Sequence, residues 1–135
     1  MTEKNVLAAA AALIAAFAAN DVPAYFAAFT PEASFIFHNV AYVMRGRAAY
    51  EAEYAAWLQG GFEVLECTSS RQTVQLYGDM AVFTHQLFTR TRSNAGETAL
   101  HERETIIFRH IDGRWLGVHE HLSPLAMPGA SIPHA

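Results

Sequence analysis

Large apolar side chains recur at helical spacing near the start of the chain and at strand spacing through its second half. Val6, Leu7, Leu13, Ile14 and Phe17 fall on one arc of about 120° at the helical period. Alanines fill the remaining face, and alanine is the strongest helix former. The pattern predicts a first helix ending near Asn20. Asp21 is placed to cap a second, short helix, with Pro23 in its first turn, where a missing N–H costs nothing. Tyr25, Phe26 and Phe29 give that helix an apolar stripe, and Thr30-Pro31 stops it. Ser34 to His38 and Tyr42 to Met44 read as two short strands rich in aromatic and β-branched residues. Tyr50, Tyr54, Trp57 and Leu58 keep the spacing of a buried helix face from about Arg47 to Gln59, and Gly60-Gly61 ends it.

From Phe62 onward the period changes. Phe62 to Tyr77, Met80 to Arg92, Thr98 to Ile111 and Arg114 to Leu122 read as long strands. Gly78-Asp79, Ser93 to Glu97, and Asp112-Gly113 separate them, the last a strong two-residue hairpin signal. Helices first and an antiparallel meander afterwards predict an α+β fold, with the helices on one face of a curved sheet. Residues 1–123 are expected to form one domain. Residues 124–135 carry Pro124, Pro128 and Pro133 without periodicity and read as a tail, either disordered or reaching a partner subunit.

At 135 residues the chain has the length of one domain and enough material for a core without staples. Hydrophobic residues make up 52% and charged residues only 16%, below the usual quarter. That balance points to a lined cavity or a subunit interface. A net charge of −4 with scattered basic residues excludes a nucleic-acid footprint, which needs a clustered basic face. Cys67 stands alone, so it forms no intrachain disulfide, and it is expected to act as a small buried hydrophobe in a reducing compartment. Lys4 followed by Val6 to Ala19 has the outline of a secretory signal. The one-sided arc favours a helix of the domain instead, and hence a cytoplasmic protein. The stretch is also too short to span a bilayer.

Three segments carry a family resemblance: DVPAYFAAFTPEA from Asp21 to Ala33, Arg45-Gly46-Arg47 opening a helix, and ETIIFRHIDGRWLGVHEHLS from Glu104 to Ser123. Together they resemble the nuclear transport factor 2-like superfamily, in particular its SnoaL-like subgroup and the association domain of calcium/calmodulin-dependent protein kinase II. The Glu104-Thr105, Asp112-Gly113, Trp115 and His119-x-His121-x-Ser123 positions match that association domain one by one. The resemblance covers the chain from the first helix to Ser123. It implies a cone: a strongly curved, mostly antiparallel sheet wrapped around three N-terminal helices, with a pocket at the open end, in a homodimer. It does not imply one chemistry, because this fold hosts isomerases, cyclases, dehydratases, epoxide hydrolases and assembly modules.

Counting outward from Asp112-Gly113 places Glu104 opposite His121 and Ile106 opposite His119. Counting from Asn94-Ala95 places His85 opposite Glu104. Opposed side chains share a face with Cβ atoms roughly 5 Å apart, so His85, Glu104 and His121 would form a row, with His119 beside it. A carboxylate among imidazoles is a plausible acid–base relay. The same row would equally serve as a hydrogen-bond network that fixes strand register. A bulge near Glu120 would instead turn Glu120 and Leu122 inward. Tyr25, Trp57, Leu87, Ile106 and Trp115 are candidate ligand contacts, although helix-spaced aromatics are more often plain core.

Leu87, Ile106 and Leu122 stand where the resembling association domain carries pocket arginines, so its anion-binding role does not transfer and the pocket should be more apolar. The catalytic sets of ketosteroid isomerase and of the epoxide hydrolases find no matching positions. His119 and His121 would stand about 7 Å apart on one strand face, and His85 or Glu104 would supply a third ligand, but no metal site and no cofactor is expected. Arg103 falls on the face opposite Glu104, His101 and His110 are expected in solvent, and Ser123 lacks an activating base. The expected function is binding of a small, largely apolar molecule. Chemistry, if any, would be cofactor-free isomerisation, cyclisation or dehydration by proton transfer, with Glu104 as base or orienting group and His85, His119 and His121 as acids or donors. The alternative is a non-catalytic ligand-binding or assembly module, in contact with neither nucleic acid nor membrane.

Overall fold

Thr2 and Asn5 exchange side-chain hydrogen bonds with each other's backbone amides, a capping box at the start of helix α1 (Glu3–Ala18). This computed structural model describes residues 2–125. Val6, Ala10 and Leu13 bury one side of α1. The helix is followed by Asn20, whose left-handed backbone (φ 58°) reverses the chain. Its side-chain amide donates to the Val64 carbonyl at 2.9 Å and accepts from the Val64 amide at 2.8 Å. Asp21 caps α2 (Val22–Ala27) through the Ala24 amide.

Strand β1 (Phe29–Phe37) starts directly afterwards. Phe29, expected on the second helix, is therefore the first residue of a strand. Pro31 fits there because the pairing of β1 is irregular between Phe29 and Ser34. The second short strand is also smaller than expected. Only Met44 and Arg45 pair with β1, as β2 (Met44–Arg45), while Tyr42 and Val43 lie exposed. Helix α3 (Arg47–Gln59) buries Tyr50 and Tyr54.

Four long strands follow: β3 (Glu63–Tyr77), β4 (Met80–Ser93), β5 (Gly96–Ile111) and β6 (Arg114–Pro124). Asp112 and Gly113 have φ of 49° and 79°, the left-handed pair that a two-residue turn needs to match the twist of its strands. The sheet runs β2-β1-β6-β5-β4-β3 and does not close. All neighbours are antiparallel except β1 and β6. Ser123 and Pro124 still belong to β6, and the rest of the expected tail after Leu125 lies outside the described residues.

The helices pack on one face, α1 against β3, β4 and β6 and α3 against β1 and β2. Between them and the sheet, Tyr25, Phe26, Phe29, Phe35, Tyr50 and Tyr54 form an aromatic core with Phe83, Ile106 and Phe108. This α+β arrangement is the one expected from the two hydrophobic periods. No described helix is long and apolar enough to cross a membrane.

Candidate functional site

Alternation along β4 sends Ala81, Phe83, His85, Leu87 and Thr89 to the helix-facing side. On β5 the same face carries Glu102, Glu104, Ile106 and Phe108. The β4–β5 register places His85 directly opposite Glu104, as counted from the turn. The β5–β6 register does not follow the regular count. Phe108 faces Gly117, whereas Ile107 faces His119, so Val118 is an extra residue in the ladder. Trp115 and Gly117 face inward before this bulge, and Glu120 and Leu122 face inward after it. Gly117 is pressed against the Phe29 ring, where an added Cβ would come within 2.6 Å of a ring carbon.

The bulge brings two carboxyl groups together. Glu120 and Glu104, 4% and 5% exposed, line the same cavity from neighbouring strands. Burial pushes the Glu104 carboxyl up to about 7, with the neighbouring Glu120 carboxyl working against that rise and the Glu102 charge adding to it. Burial, and then the charge of Glu104, hold Glu120 well above the usual carboxylate range. Both carboxyls thus keep a proton to higher pH than an exposed glutamate does.

Behind Glu104, its Oε1 meets Nε2 of His85 at 2.7 Å, and Nδ1 of His85 meets the Ser69 hydroxyl at 2.6 Å. The amide of Gln72 donates to that hydroxyl at 2.9 Å. Burial lowers His85 to about 4, against a rise from the Glu120 charge. The imidazole is therefore neutral near pH 7, and its contact with Glu104 is a hydrogen bond rather than an ion pair. Toward the rim, Glu102 (5% exposed) meets Nε2 of His38 at 2.6 Å. The Tyr25 and Tyr50 hydroxyls lie 2.8 Å apart, and both are raised by burial first and by the nearby Glu120 charge second.

These groups line a cavity of about 480 Å³ between the sheet and helices α1 to α3, within the size range of small-molecule sites. Its walls include Leu13, Phe17, Phe37, Trp57, Phe62 and Leu87, while Glu102, Glu104 and Glu120 are its acidic side chains.

A family model described as a SnoaL-like domain matches residues 6–127. The chain belongs to the SnoaL-like domain family. No curated protein matches it. Among solved structures, this SnoaL-like domain is similar to a nuclear transport factor 2-like protein of unknown function from Rhodospirillum rubrum, at 20% identity and TM-score 0.78, covering 90% of this chain and 98% of that one. It is similar to a ketosteroid isomerase-like protein from Erwinia carotovora atroseptica, at 19% identity and TM-score 0.77, covering 94% and 100%. A putative calcium/calmodulin dependent protein kinase II association domain from Xanthomonas campestris matches at 20% identity and TM-score 0.77, covering 96% and 91%. At these identities the likeness shows the nuclear transport factor 2-like fold.

The structure brings together only part of the set expected from the sequence. Within this SnoaL-like domain Glu104, Tyr25, Trp57 and Leu87 line the cavity, and His85 stands directly behind Glu104. His119 and His121 do not join them, because the Val118 bulge turns both to the outer face of the sheet. There His119 bonds the Ser34 hydroxyl at 2.8 Å and His121 is exposed. Ile106 is fully buried in the core beside the pair. Trp115 lies on the far side, against His110 and the groove between α1 and the β5–β6 turn.

Glu102, His38 and Tyr50 were not among the candidates, and Glu120 was placed inward only by the bulged alternative, which is the register observed. Glu102-x-Glu104 on one strand was a usable signal for a second acid on the same face. Cys67 lines the cavity with its thiol raised by burial to about 11, as suits a small hydrophobe rather than a nucleophile. Among the described residues, no three His, Cys, Asp or Glu side chains are grouped to hold a metal ion.

Proposed function

We propose that this SnoaL-like domain binds a small, largely apolar molecule in the cavity and exchanges a proton with it through Glu104 and Glu120. The observation that carries the reading is two buried carboxyls, Glu104 and Glu120, lining one cavity against apolar walls. A carboxyl near 7 is poised to take up or release a proton at neutral pH, where general acid–base catalysis is most effective. Glu104 is the base, Glu120 the acid, and His85 orients Glu104 through a hydrogen bond of 2.7 Å. Such a pair serves isomerisation, cyclisation or dehydration without a cofactor.

Self-association as a homodimer belongs to the same proposal. It is supported by the exposed Leu76 and Tyr77 on the sheet and by the likeness to an association domain. The lone Cys67 favours a reducing compartment such as the cytoplasm.

The test uses a ketone with an activated benzylic C–H, such as β-tetralone, in heavy water. Wild-type protein should exchange the C–H next to the carbonyl for deuterium, read by NMR. Glu104→Gln should slow the exchange by about 100-fold or more. A ketone that raises the unfolding midpoint without any exchange would leave a binding module with no chemistry.

A further inference from the structure

The polar groups of the cavity are unevenly matched in charge. Among the described residues, Glu102, Glu104 and Glu120 line it, and no lysine or arginine does. The other titratable groups facing this cluster are Tyr25 from α2, Tyr50 from α3 and Cys67 from β3, none of them cationic. Two imidazoles complete the surroundings. His38, at the end of β1, is committed to one oxygen of Glu102 at 2.6 Å. His85 on β4 is spent on Glu104 and Ser69, and burial keeps it neutral.

Glu120 shows the deficit directly. It lines the cavity and is 4% exposed, yet its Oε1 accepts no hydrogen bond from any N–H or hydroxyl of the described residues. Buried carboxylates require donors or countercharge, and this cavity supplies too few of both.

The walls supply what a cation requires. Phe17, Tyr25, Phe37, Tyr50, Trp57 and Phe62 surround the space with aromatic rings, and aromatic faces attract ammonium groups. We infer that the ligand of this cavity is a protonated amine on an apolar body, its ammonium held by the carboxyl groups of Glu102, Glu104 and Glu120. An ammonium brings one positive charge and several N–H donors to acceptors that lack both. A neutral alcohol brings a single donor, and an anion meets like charge. This inference rests on the cavity being a small-molecule site, and it does not require turnover.

The ammonium neutralises the buried carboxyls as a bound proton would, so the proton that Glu104 carries below about pH 7 leaves to solvent on binding. Binding therefore strengthens as pH rises through about 7, where Glu104 ionises, while an alkylamine stays protonated to about pH 10.

Three ligands of nearly the same shape separate the possibilities: tryptamine, tryptophol and indoleacetate, titrated calorimetrically into the full chain. Near pH 8, tryptamine should bind about tenfold or more tightly than tryptophol, with indoleacetate weakest. The amine-to-alcohol ratio should shrink near pH 6, and tryptamine binding should release protons in buffers of different ionisation enthalpy. Glu104→Gln should bring the ratio close to one. Should that variant fail to fold, Glu102→Gln at the rim should lower the same ratio. Tryptophol binding as tightly as tryptamine would overturn the charge inference and leave the cavity as a neutral-ligand site. Absence of binding by all three would overturn the inference together with the small-molecule reading beneath it.

Discussion

Glu104 and His85 touch each other, yet they pull the pH dependence of stability in opposite directions. Unfolded, the glutamate titrates near 4.5, and folded near 7. Between those values the folded chain holds a proton the unfolded chain has lost, so stability falls as pH rises. Unfolded, the histidine titrates near 6.5, and folded near 4. In that window the unfolded chain takes up a proton that the folded chain refuses, so stability rises with pH. The two slopes oppose each other between about pH 4.5 and 6.5. Above that only the carboxyl slope remains, and Glu120, also raised by burial, adds to it. Glu120→Gln removes one of the two titrating carboxyls. Thermal unfolding should show the variant gaining on wild type as pH rises from the ordinary carboxylate range through neutrality. An identical pH slope in both proteins would contradict a buried Glu120 that holds its proton. None of this was legible in the residue types, because a glutamate's proton affinity is set by what surrounds it.

At the scale of elements, two strand registers decided the site, and only one was readable in the sequence. The β4–β5 hairpin is regular across the site, so counting from Asn94-Ala95 placed His85 against Glu104 correctly. The β5–β6 hairpin begins just as regularly at Asp112-Gly113 and then gains Val118 as a bulge. The bulge follows Gly117, which is pinned beneath the Phe29 ring and whose amide bonds the Ala28 carbonyl at 2.8 Å. Phe29 and Ala28 are nearly ninety residues away in the chain, so no local pattern announces the contact. One inserted residue exchanges His119 and His121 for Glu120 and Leu122. Helix α1 depends on a similar distant contact, because Asn20 holds its end against β3 with two hydrogen bonds to Val64. Asn20→Ala strips both partners from Val64 and puts alanine at a left-handed backbone position. It should cost about 1–3 kcal/mol in urea unfolding at an unchanged denaturant slope. A loss under about 0.5 kcal/mol would mean that α1 is held by its apolar face alone.

For the molecule as a whole, the low share of charged residues pointed to a cavity or an interface, and a cavity of about 480 Å³ is present. The α+β order was legible because helical and strand periods occupy separate halves of the chain. The pocket's chemistry was legible only in part: the apolar walls followed from Leu87 and Leu122 and Glu104 from the strand count, whereas Glu120 depended on the bulge and Glu102 was missed. What unites the scales is a pair of buried carboxyls, Glu104 and Glu120, held above the ordinary carboxylate range inside an apolar shell. Side-chain carboxyl carbon shifts of those two residues, followed by NMR against pH, report on that displacement most directly. The result expected is a titration of Glu104 near 7, with Glu120 also ionising well above the ordinary range. Two independent titrations at the ordinary carboxylate values, near 4.5, would contradict it.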